Sequence, residues 1–281
     1  HEMSKVSASL SAAHEPTPSV DSHFHVFKAG HSLPGARYTP PYDASFDNWQ
    51  TRAAAVGVTH GVLVQTSFMG TDNRLLLAQL AQHPETLRGI AVVTPDADLK
   101  ALSALHAQGV RGIRLNLAGR SHDMALWASA SDLWNAMLQL GWHLELHTDA
   151  GRLAEVSAVL PLALPLVLDH FAKPVAVSMH DATVVALRDR RSRGGQNVHI
   201  KLSAPYRLAT SRQDEQAGEL ARLWLAELGP EALLWGSDWP CTNHESKADY
   251  PALHSALGEW LAGDDRLVTL VRSTNPLRLY W

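Results

Sequence analysis

Val-Asp-Ser-His-Phe-His, at residues 20–25, is a short strand-like run that ends in two histidines separated by one residue. Side chains two positions apart in a strand point to the same side, so His23 and His25 are expected to project together. Two convergent imidazoles can form half of a metal site. A His-x-His pair standing alone is equally typical of hydrogen-bonded core histidines, so the rest of the chain decides between these interpretations.

Seven more short runs follow, at residues 61–67, 88–93, 112–116, 143–147, 166–170, 198–203 and 233–238. Segments with apolar residues every three or four positions lie between them, at 46–55, 71–82, 99–108, 131–140 and 216–228. Alternating strands and helices predict a parallel sheet. Eight such repeats, without a Gly-x-Gly-x-x-Gly turn after any strand, favour a closed barrel over an open doubly wound sheet. The sequence therefore predicts an α/β fold of the (β/α)8 TIM-barrel type.

Length and composition agree with one barrel domain. The chain has 281 residues, of which 46% are hydrophobic, and this is enough to bury one large core. We expect a disordered tail or expression remnant at residues 1–18, which are rich in Ser, Ala and Pro, and a single catalytic domain at 19–281.

Charge and cysteine content exclude several classes of protein. The net charge of −4 gives no basic stripe for phosphates, so nucleic acid is not expected as a partner. The single cysteine rules out an intrachain disulfide and is typical of a reducing cytoplasm. No apolar run of membrane-spanning length and no secretory leader is seen, so we expect a cytoplasmic protein with no membrane partner. The sequence leaves homo-oligomer formation open.

Several of the polar residues that end these runs carry metal-binding or proton-transferring groups. They are His23, His25, His147, His170 and Asp238. The carboxyl ends of barrel strands converge on the catalytic mouth, and imidazole with carboxylate suits zinc or a similar divalent ion. An open coordination position would lower the pKa of a bound water towards neutrality. The pattern therefore predicts a catalytic site, because the same groups buried without a role would be costly.

A second set of residues points to an anionic substrate. Arg114 lies on the fourth strand, and Arg120, Lys173 and Arg207 follow strands four, six and seven. The guanidinium fork matches a carboxylate, so several cations at one mouth favour a small anionic substrate. Loop cations such as Arg120 and Arg207 are as often solvated surface charges.

Two further residues are weaker candidates for contact with the substrate. Ser67 could donate a hydrogen bond to a substrate carboxylate, although a serine at a strand end usually caps the next helix. Trp239 is placed to line the mouth of the barrel.

Five stretches of the chain resemble the amidohydrolase-2 family of the amidohydrolase superfamily. They are Val-Asp-Ser-His-Phe-His (20–25), Gly-Val-Arg-Gly-Ile-Arg-Leu-Asn (109–116), Leu-Asp-His-Phe-Ala-Lys-Pro (168–174), Leu-Trp-Gly-Ser-Asp-Trp-Pro (234–240) and Asn-Pro-Leu-Arg-Leu-Tyr (275–280). Within that family, Gln-Thr-Ser-Phe-Met-Gly-Thr-Asp-Asn-Arg (65–74) resembles the branch that contains 2-pyrone-4,6-dicarboxylate lactonases and sugar-lactone hydrolases.

The resemblance implies hydrolysis of a carboxylated lactone in aromatic-acid or sugar-acid catabolism. Asp238 would be the general base towards water, and His23, His25 and His170 would polarise the lactone carbonyl. The cations at Arg114, Arg120 and Arg207 would hold the carboxylates of the substrate. Lys173 stands where the pyrone-dicarboxylate enzymes are expected to have arginine, which puts strict identity of the substrate in doubt.

The same resemblance is compatible with a metal-free enzyme and with a zinc-dependent one. The pyrone-dicarboxylate lactonase is understood to work without metal and has a tyrosine near the end of its fifth strand. Here that strand ends in His147, which completes the set His23, His25, His147 and Asp238 used for zinc by related amino-carboxymuconate semialdehyde decarboxylases. We expect one divalent metal, zinc in particular, and leave metal-free operation open.

Two other functions remain open on sequence grounds. The same ligands would suit a metal-dependent decarboxylase of an aromatic or enol carboxylic acid, since they can polarise a carbonyl beside a departing carboxylate. The set of cations favours the lactonase, because a dicarboxylate calls for several arginines. A non-catalytic organic-anion binding protein is the third hypothesis, and convergent histidines and aspartate argue against it.

Overall fold

The predicted barrel is confirmed by a computed structural model that describes residues 17–281. Residues 1–16 of the expected tail at 1–18 lie outside the described residues. Eight parallel strands lie side by side in chain order. They are β1 (Val20–Phe24), β2 (His60–Val64), β3 (Leu87–Ala91), β4 (Val110–Asn116), β5 (His143–His147), β6 (Leu166–Leu168), β7 (Val198–Leu202) and β8 (Leu233–Trp235).

Helices pack on the outer face of this barrel. They are α1 (Phe46–Ala55), α2 (Arg74–Gln82), α3 (Leu99–Ala107), α4 (Ala125–Ala128), α5 (Ser131–Leu140), α6 (Leu153–Ser157), α7 (Ala182–Ser192), α8 (Gln213–Leu228), α9 (Tyr250–Trp260), α10 (Asp265–Thr269) and α11 (Asn275–Tyr280). The five predicted helical segments correspond to α1, α2, α3, α5 and α8. The long helices α7 and α9 fill positions for which the sequence pattern named no helix. No helix within residues 17–281 is both long enough and apolar enough to cross a membrane.

A buried carboxylate joins the first strand to the last and closes the barrel. Asp21 on β1 accepts hydrogen bonds from the backbone N–H of Ser237 at 2.9 Å and from its hydroxyl at 2.5 Å. It also accepts from Trp49 Nε1 at 3.0 Å and from the Tyr250 hydroxyl at 2.8 Å. Gly236 allows the close approach, because a Cβ there would lie 2.5 Å from the Cβ of His23. These contacts fix the segment after β8 beside the histidines of β1.

Six of the predicted strands, β1, β2, β3, β6, β7 and β8, end one to three residues earlier than the sequence pattern indicated. β6 stops at Leu168 and β8 at Trp235, so His170 and Asp238 lie in the turns that follow. The backbone of both residues is left-handed, with φ of 53° and 57°. Such a conformation costs a residue other than glycine about 1–2 kcal/mol. In this conformation both side chains lie at the mouth of the barrel.

The turn after β6 is left-handed over four consecutive residues. His170, Phe171, Ala172 and Lys173 have φ between 44° and 59°. Trp224 on α8 donates from Nε1 to the Phe171 carbonyl at 2.9 Å, and the Phe171 ring is fully buried. Packing against α8 therefore holds a conformation that the local sequence alone would not favour.

Candidate active site

Imidazole rings from three strand ends meet at the C-terminal mouth of the barrel. The ring centroids of His23 and His25 lie 4.9 Å apart, and those of His23 and His170 lie 5.1 Å apart. The centroids of His147 and His170 are separated by 4.7 Å. All four side chains are buried. The structure thus brings together the four histidines that the sequence analysis singled out.

The carboxylate of Asp238 lies against this cluster. Its Oδ1 atom is 3.5 Å from His23 Nε2 and 3.7 Å from His25 Nε2. Its Oδ2 atom accepts hydrogen bonds from the Tyr206 hydroxyl at 2.7 Å and from Arg207 Nε at 2.9 Å. Burial alone would raise the pKa of Asp238, but Arg207 and the imidazoles lower it well below its usual value. Asp238 is therefore an ionised carboxylate at neutral pH, with Oδ1 turned towards the histidines.

Two of the imidazoles are oriented through Nδ1. His25 Nδ1 lies 2.7 Å from the Val64 carbonyl oxygen, which can only accept, so Nδ1 carries a proton. In the neutral ring this leaves Nε2 of His25 as an acceptor facing Asp238. His170 Nδ1 lies 2.8 Å from the hydroxyl of Ser203, which can donate or accept. Burial holds the pKa of His170 well below its usual value, so this ring is neutral.

His23 rests on a network of buried charges inside the barrel. Lys201 Nζ lies 3.0 Å from His23 Nδ1 and is paired with the Glu145 carboxylate. Glu145 also accepts from the Tyr280 hydroxyl at 2.7 Å and lies 2.7 Å from His143 Nε2. Burial, together with the charge of Lys201, holds the pKa of His23 well below its usual value. His23 is therefore a neutral imidazole whose Nδ1 contacts the buried ion pair of Lys201 and Glu145.

A second buried carboxylate, that of Asp169, lies between Arg114 and the pair of His23 and Lys201. Arg114 Nε donates to Asp169 Oδ2 at 2.9 Å. The other oxygen, Oδ1, lies 3.7 Å from His23 Nδ1 and 3.8 Å from Lys201 Nζ. Burial raises the pKa of Asp169, and the charges of Arg114 and Lys201 act against that rise. The ion pair with Asp169 holds the Arg114 side chain against the wall of the site.

A cavity of about 220 Å³ opens above these groups. Most of the predicted site residues contribute to its lining, namely His25, His147, His170, Asp238, Arg114, Arg207 and Ser67. A larger hollow of about 730 Å³ lies outside the barrel between α8 and α9, and no predicted site residue lines it. The smaller cavity is therefore the candidate active site, since ionisable groups and two guanidinium groups converge there.

Three predicted substrate contacts lie outside this lining. Arg120 is exposed on the loop after β4. Trp239 is buried with the guanidinium of Arg52 5.9 Å from its ring centroid. Lys173 is partly buried, and its Nζ lies 3.2 Å from His147 Nε2 instead of facing open space. These three positions are therefore weaker candidates for substrate contact than Arg114, Arg207 and Ser67.

Three donor atoms of the cluster could hold a metal ion. One nitrogen each from His23 and His25 and one oxygen of Asp238 lie within 4.8 Å of one another. His23, Asp169 and His170 form a second such group. Two imidazoles and a carboxylate are the ligand types of catalytic zinc sites. A buried His23 Nε2 with no hydrogen-bond partner within residues 17–281 agrees with that fit.

His147 stands apart from both groups among the described residues. Its Nε2 faces the ammonium of Lys173, and its Nδ1 is buried without a hydrogen-bond partner within residues 17–281. Burial lowers the pKa of His147 well below its usual value. The expected fourth ligand is thus a neutral imidazole beside a lysine rather than a member of the compact donor set.

Several residues of the site were not found from the sequence. Tyr38 lines the cavity, and its buried hydroxyl has no hydrogen-bond partner within residues 17–281. Tyr206 bonds Asp238, and Lys201 with Glu145 supports His23. A charged residue in the middle of an apolar strand, as in His-Ile-Lys-Leu or His-Leu-Glu-Leu-His, was the available signal for Lys201 and Glu145. Nothing local marks Tyr38, which lies on the loop after β1.

The chain belongs to the amidohydrolase family, whose model (Amidohydro_2, amidohydrolase) matches residues 20–281. Among characterised relatives, it is 30% identical over 279 residues to a 2-pyrone-4,6-dicarboxylate hydrolase of Comamonas testosteroni, with 95% of this chain and 91% of that protein covered. It is 26% identical to a 4-sulfomuconolactone hydrolase of Hydrogenophaga intermedia, with 80% and 75% covered.

A solved structure gives the same result. The chain superposes with a TM-score of 0.81 on a probable 2-pyrone-4,6-dicarboxylic acid hydrolase of Acinetobacter baumannii, crystallised with citric acid bound. The two are 31% identical, and the match covers 93% of this chain and 98% of the other. The barrel and the order of its elements are therefore those of this group of amidohydrolases.

Proposed function

We propose that the chain hydrolyses a small lactone that carries one or more carboxylates, of the 2-pyrone-4,6-dicarboxylate or sugar-acid lactone kind. The observation that carries the proposal is that Asp238, with Oδ1 3.7 Å from His25 Nε2, lines the same cavity as Arg114 and Arg207. The relatives that act on pyrone dicarboxylate and sulfomuconolactone support the same class of substrate, an anionic lactone.

Substrate binding rests on the two arginines. Arg114 Nε is engaged by Asp169 and Arg207 Nε by Asp238. These pairs set the direction of each guanidinium. The terminal nitrogens of Arg114 and Nη1 of Arg207 are left for substrate carboxylates, since Arg207 Nη2 donates to the Thr242 carbonyl. Ser67 and Tyr38 add hydroxyl groups at the cavity wall. A dianionic ring held at two points would present its ester carbonyl to the histidine cluster.

Asp238 acts as the general base. His25 Nε2 and Asp238 Oδ1 are both acceptors, and they lie 3.7 Å apart. A water molecule that donates to both would turn its lone pair towards the carbonyl carbon, and Asp238 would take the proton as the bond forms. Water adds to the carbonyl carbon and the acyl–oxygen bond breaks, so the ring oxygen leaves as an enol from a pyrone or as an alcohol from a sugar lactone.

In the proposed reaction His170 donates hydrogen bonds to the carbonyl oxygen and to the leaving oxygen of the ester. It lines the cavity, and the Ser203 hydroxyl fixes its Nδ1. When Ser203 donates to Nδ1, Nε2 carries the proton and can stabilise the oxyanion and then protonate the leaving oxygen. A divalent ion, zinc in particular, would be held by His23, His25 and Asp238 and would supply Lewis acidity at the carbonyl. Activity measured before and after chelation shows whether the reaction requires this ion.

The test is a substrate panel with purified enzyme before and after chelation. It contains pyrone dicarboxylate, a muconolactone, an aldonolactone and an aromatic carboxylate. We expect ring opening without gas release, and a fall in kcat of about 10²- to 10⁴-fold in Asp238→Asn. Asp265→Asn, at an exposed position on α10, is the matched control and should retain full activity. Release of carbon dioxide would indicate a decarboxylase, and binding of the organic anions without turnover would indicate a binding protein.

A further inference from the structure

Lys201 is the one lysine that the structure describes as fully buried on a barrel strand, and it is not among the residues that line the cavity. Its ammonium group lies between the Glu145 carboxylate and His23 Nδ1, with Asp169 Oδ1 at 3.8 Å. Glu145 is itself fixed by Tyr280 and His143. A lysine paired with a carboxylate in a protein interior is a cation with three N–H donors and no acceptor.

That contact determines which nitrogen of His23 carries a proton. Since Lys201 can only donate, Nδ1 of His23 must accept, and in a neutral imidazole the proton then resides on Nε2. His25 has the opposite arrangement, because its Nδ1 donates to the Val64 carbonyl. The His-x-His pair on β1 therefore presents one donor, His23 Nε2–H, and one acceptor, His25 Nε2, to the same carboxylate.

We infer that Lys201 is a positioning residue that fixes His23 as the Nε2–H tautomer and directs that proton at Asp238 Oδ1, 3.5 Å away. In this role Lys201 also weakens, without abolishing, the binding of a metal ion at His23. An ion on Nε2 needs the proton moved to Nδ1, where it would face the ammonium at 3.0 Å. Ligating histidines normally direct that N–H at an acceptor, and the nearest carboxylate oxygen, Asp169 Oδ1, is 3.7 Å away.

Two variants separate this role from a general contribution to folding. Lys201→Met removes the donor but leaves Glu145 buried without its partner, which destabilises the fold. Lys201→Met with Glu145→Gln removes both charges and keeps a side chain that can bond Tyr280. Arg190→Met is the matched control, because Arg190 is a buried cation that bonds the carbonyls of Pro161 and Leu164 far from His23.

The direct readout is the tautomer of His23 in enzyme labelled with ¹⁵N at histidine, its signals assigned by comparison with His23→Gln. We expect Nε2–H in the native chain and in Arg190→Met, and Nδ1–H, facing Asp169, in the double variant. Zinc affinity, measured by titration calorimetry, should rise about 10- to 100-fold in the double variant only. A native Nδ1–H tautomer, or a double variant with unchanged tautomer and zinc affinity, would overturn the inference.

The kinetic consequence rests on the proposed lactone hydrolysis. In chelated enzyme the double variant should lose kcat about 10- to 100-fold with KM little changed, since Lys201 does not line the cavity. A shift in KM with unchanged kcat would also contradict the positioning role. The tautomer and zinc measurements need no substrate, so a native enzyme that opens no lactone would overturn the proposed function and leave this inference standing.

Discussion

Arg207 donates a hydrogen bond from Nε to Oδ2 of Asp238 over 2.9 Å, and the two residues follow neighbouring strands, β7 and β8. The same guanidinium donates from Nη2 to the Thr242 carbonyl at 2.9 Å. Arg207 thus bonds both the candidate base and the loop after β8, and it also lines the cavity. One side chain links substrate binding to the charge state of Asp238.

This pairing predicts a pH effect. Burial alone would raise the pKa of Asp238, and the charge of Arg207 is the largest of the influences that lower it. The base form is lost only as pH falls through that lowered pKa, so kcat/KM of chelated native enzyme should stay flat down to at least about pH 5. In Arg207→Gln the pKa of Asp238 rises, and the acidic limb of kcat/KM should move to higher pH.

Arg207→Lys is the control for that experiment, because it keeps the charge and loses the planar fork. Its acidic limb should stay near the native position while KM rises. An acidic limb that does not move in Arg207→Gln would mean that Asp238 is not the group whose protonation limits the rate.

Tyr38 should contribute to substrate affinity. Its hydroxyl is buried at the cavity wall with no hydrogen-bond partner within residues 17–281, so it is available to a substrate carboxylate. A hydrogen bond to a charged group contributes about 1.5–3 kcal/mol, so Tyr38→Phe should raise KM at least about tenfold with a small effect on kcat. Ser192→Ala, which removes an exposed hydroxyl bonded to the Asp189 carbonyl on α7, is the control. Equal KM values for the two variants would remove Tyr38 from the binding site.

Metal binding should depend on His25 more than on His147. His25 Nε2 is an acceptor beside Asp238, whereas His147 Nε2 faces Lys173. We expect His25→Asn to abolish measurable zinc binding in dialysed protein and His147→Asn to change the zinc affinity less than about threefold, as for a residue outside the ligand shell. Zinc content by elemental analysis and titration calorimetry decide the question. Loss of zinc in His147→Asn would restore the four-ligand set expected from the sequence.

The left-handed turn after β6 should respond unusually to glycine. Ala172 has φ of 59°, so glycine relieves strain there, whereas glycine at Ala186 inside α7 only loosens a helix. Ala186→Gly should lower the free energy of unfolding by about 1 kcal/mol. Ala172→Gly should be at least about 1 kcal/mol more stable than that control, measured by urea denaturation. Equal losses in the two variants would show that the turn is not strained.

The (β/α)8 barrel could be predicted from the sequence because its signals are local. Runs such as 143–147 and 112–116 are short, alternate apolar with other residues and are separated by an amphipathic segment, and the structure places β5 and β4 there. The boundaries were less predictable. The runs ending at His170 and Asp238 were assigned whole to strands, but packing and hydrogen bonds turn the chain out of the sheet before either residue. Helix α7 was not named, because charged residues interrupt its apolar spacing.

The sequence by itself determined that His23, His25, His170 and Asp238 would share one mouth, since parallel strands place their carboxyl ends at the same edge of a barrel. Only the tertiary structure decided what each group faces. Lys201 and His23 are 178 positions apart, and their contact selects a tautomer that no local pattern encodes. Hydrogen bonds and ion pairs depend on distances of a few ångströms between remote segments, and those distances exist only after the barrel has closed.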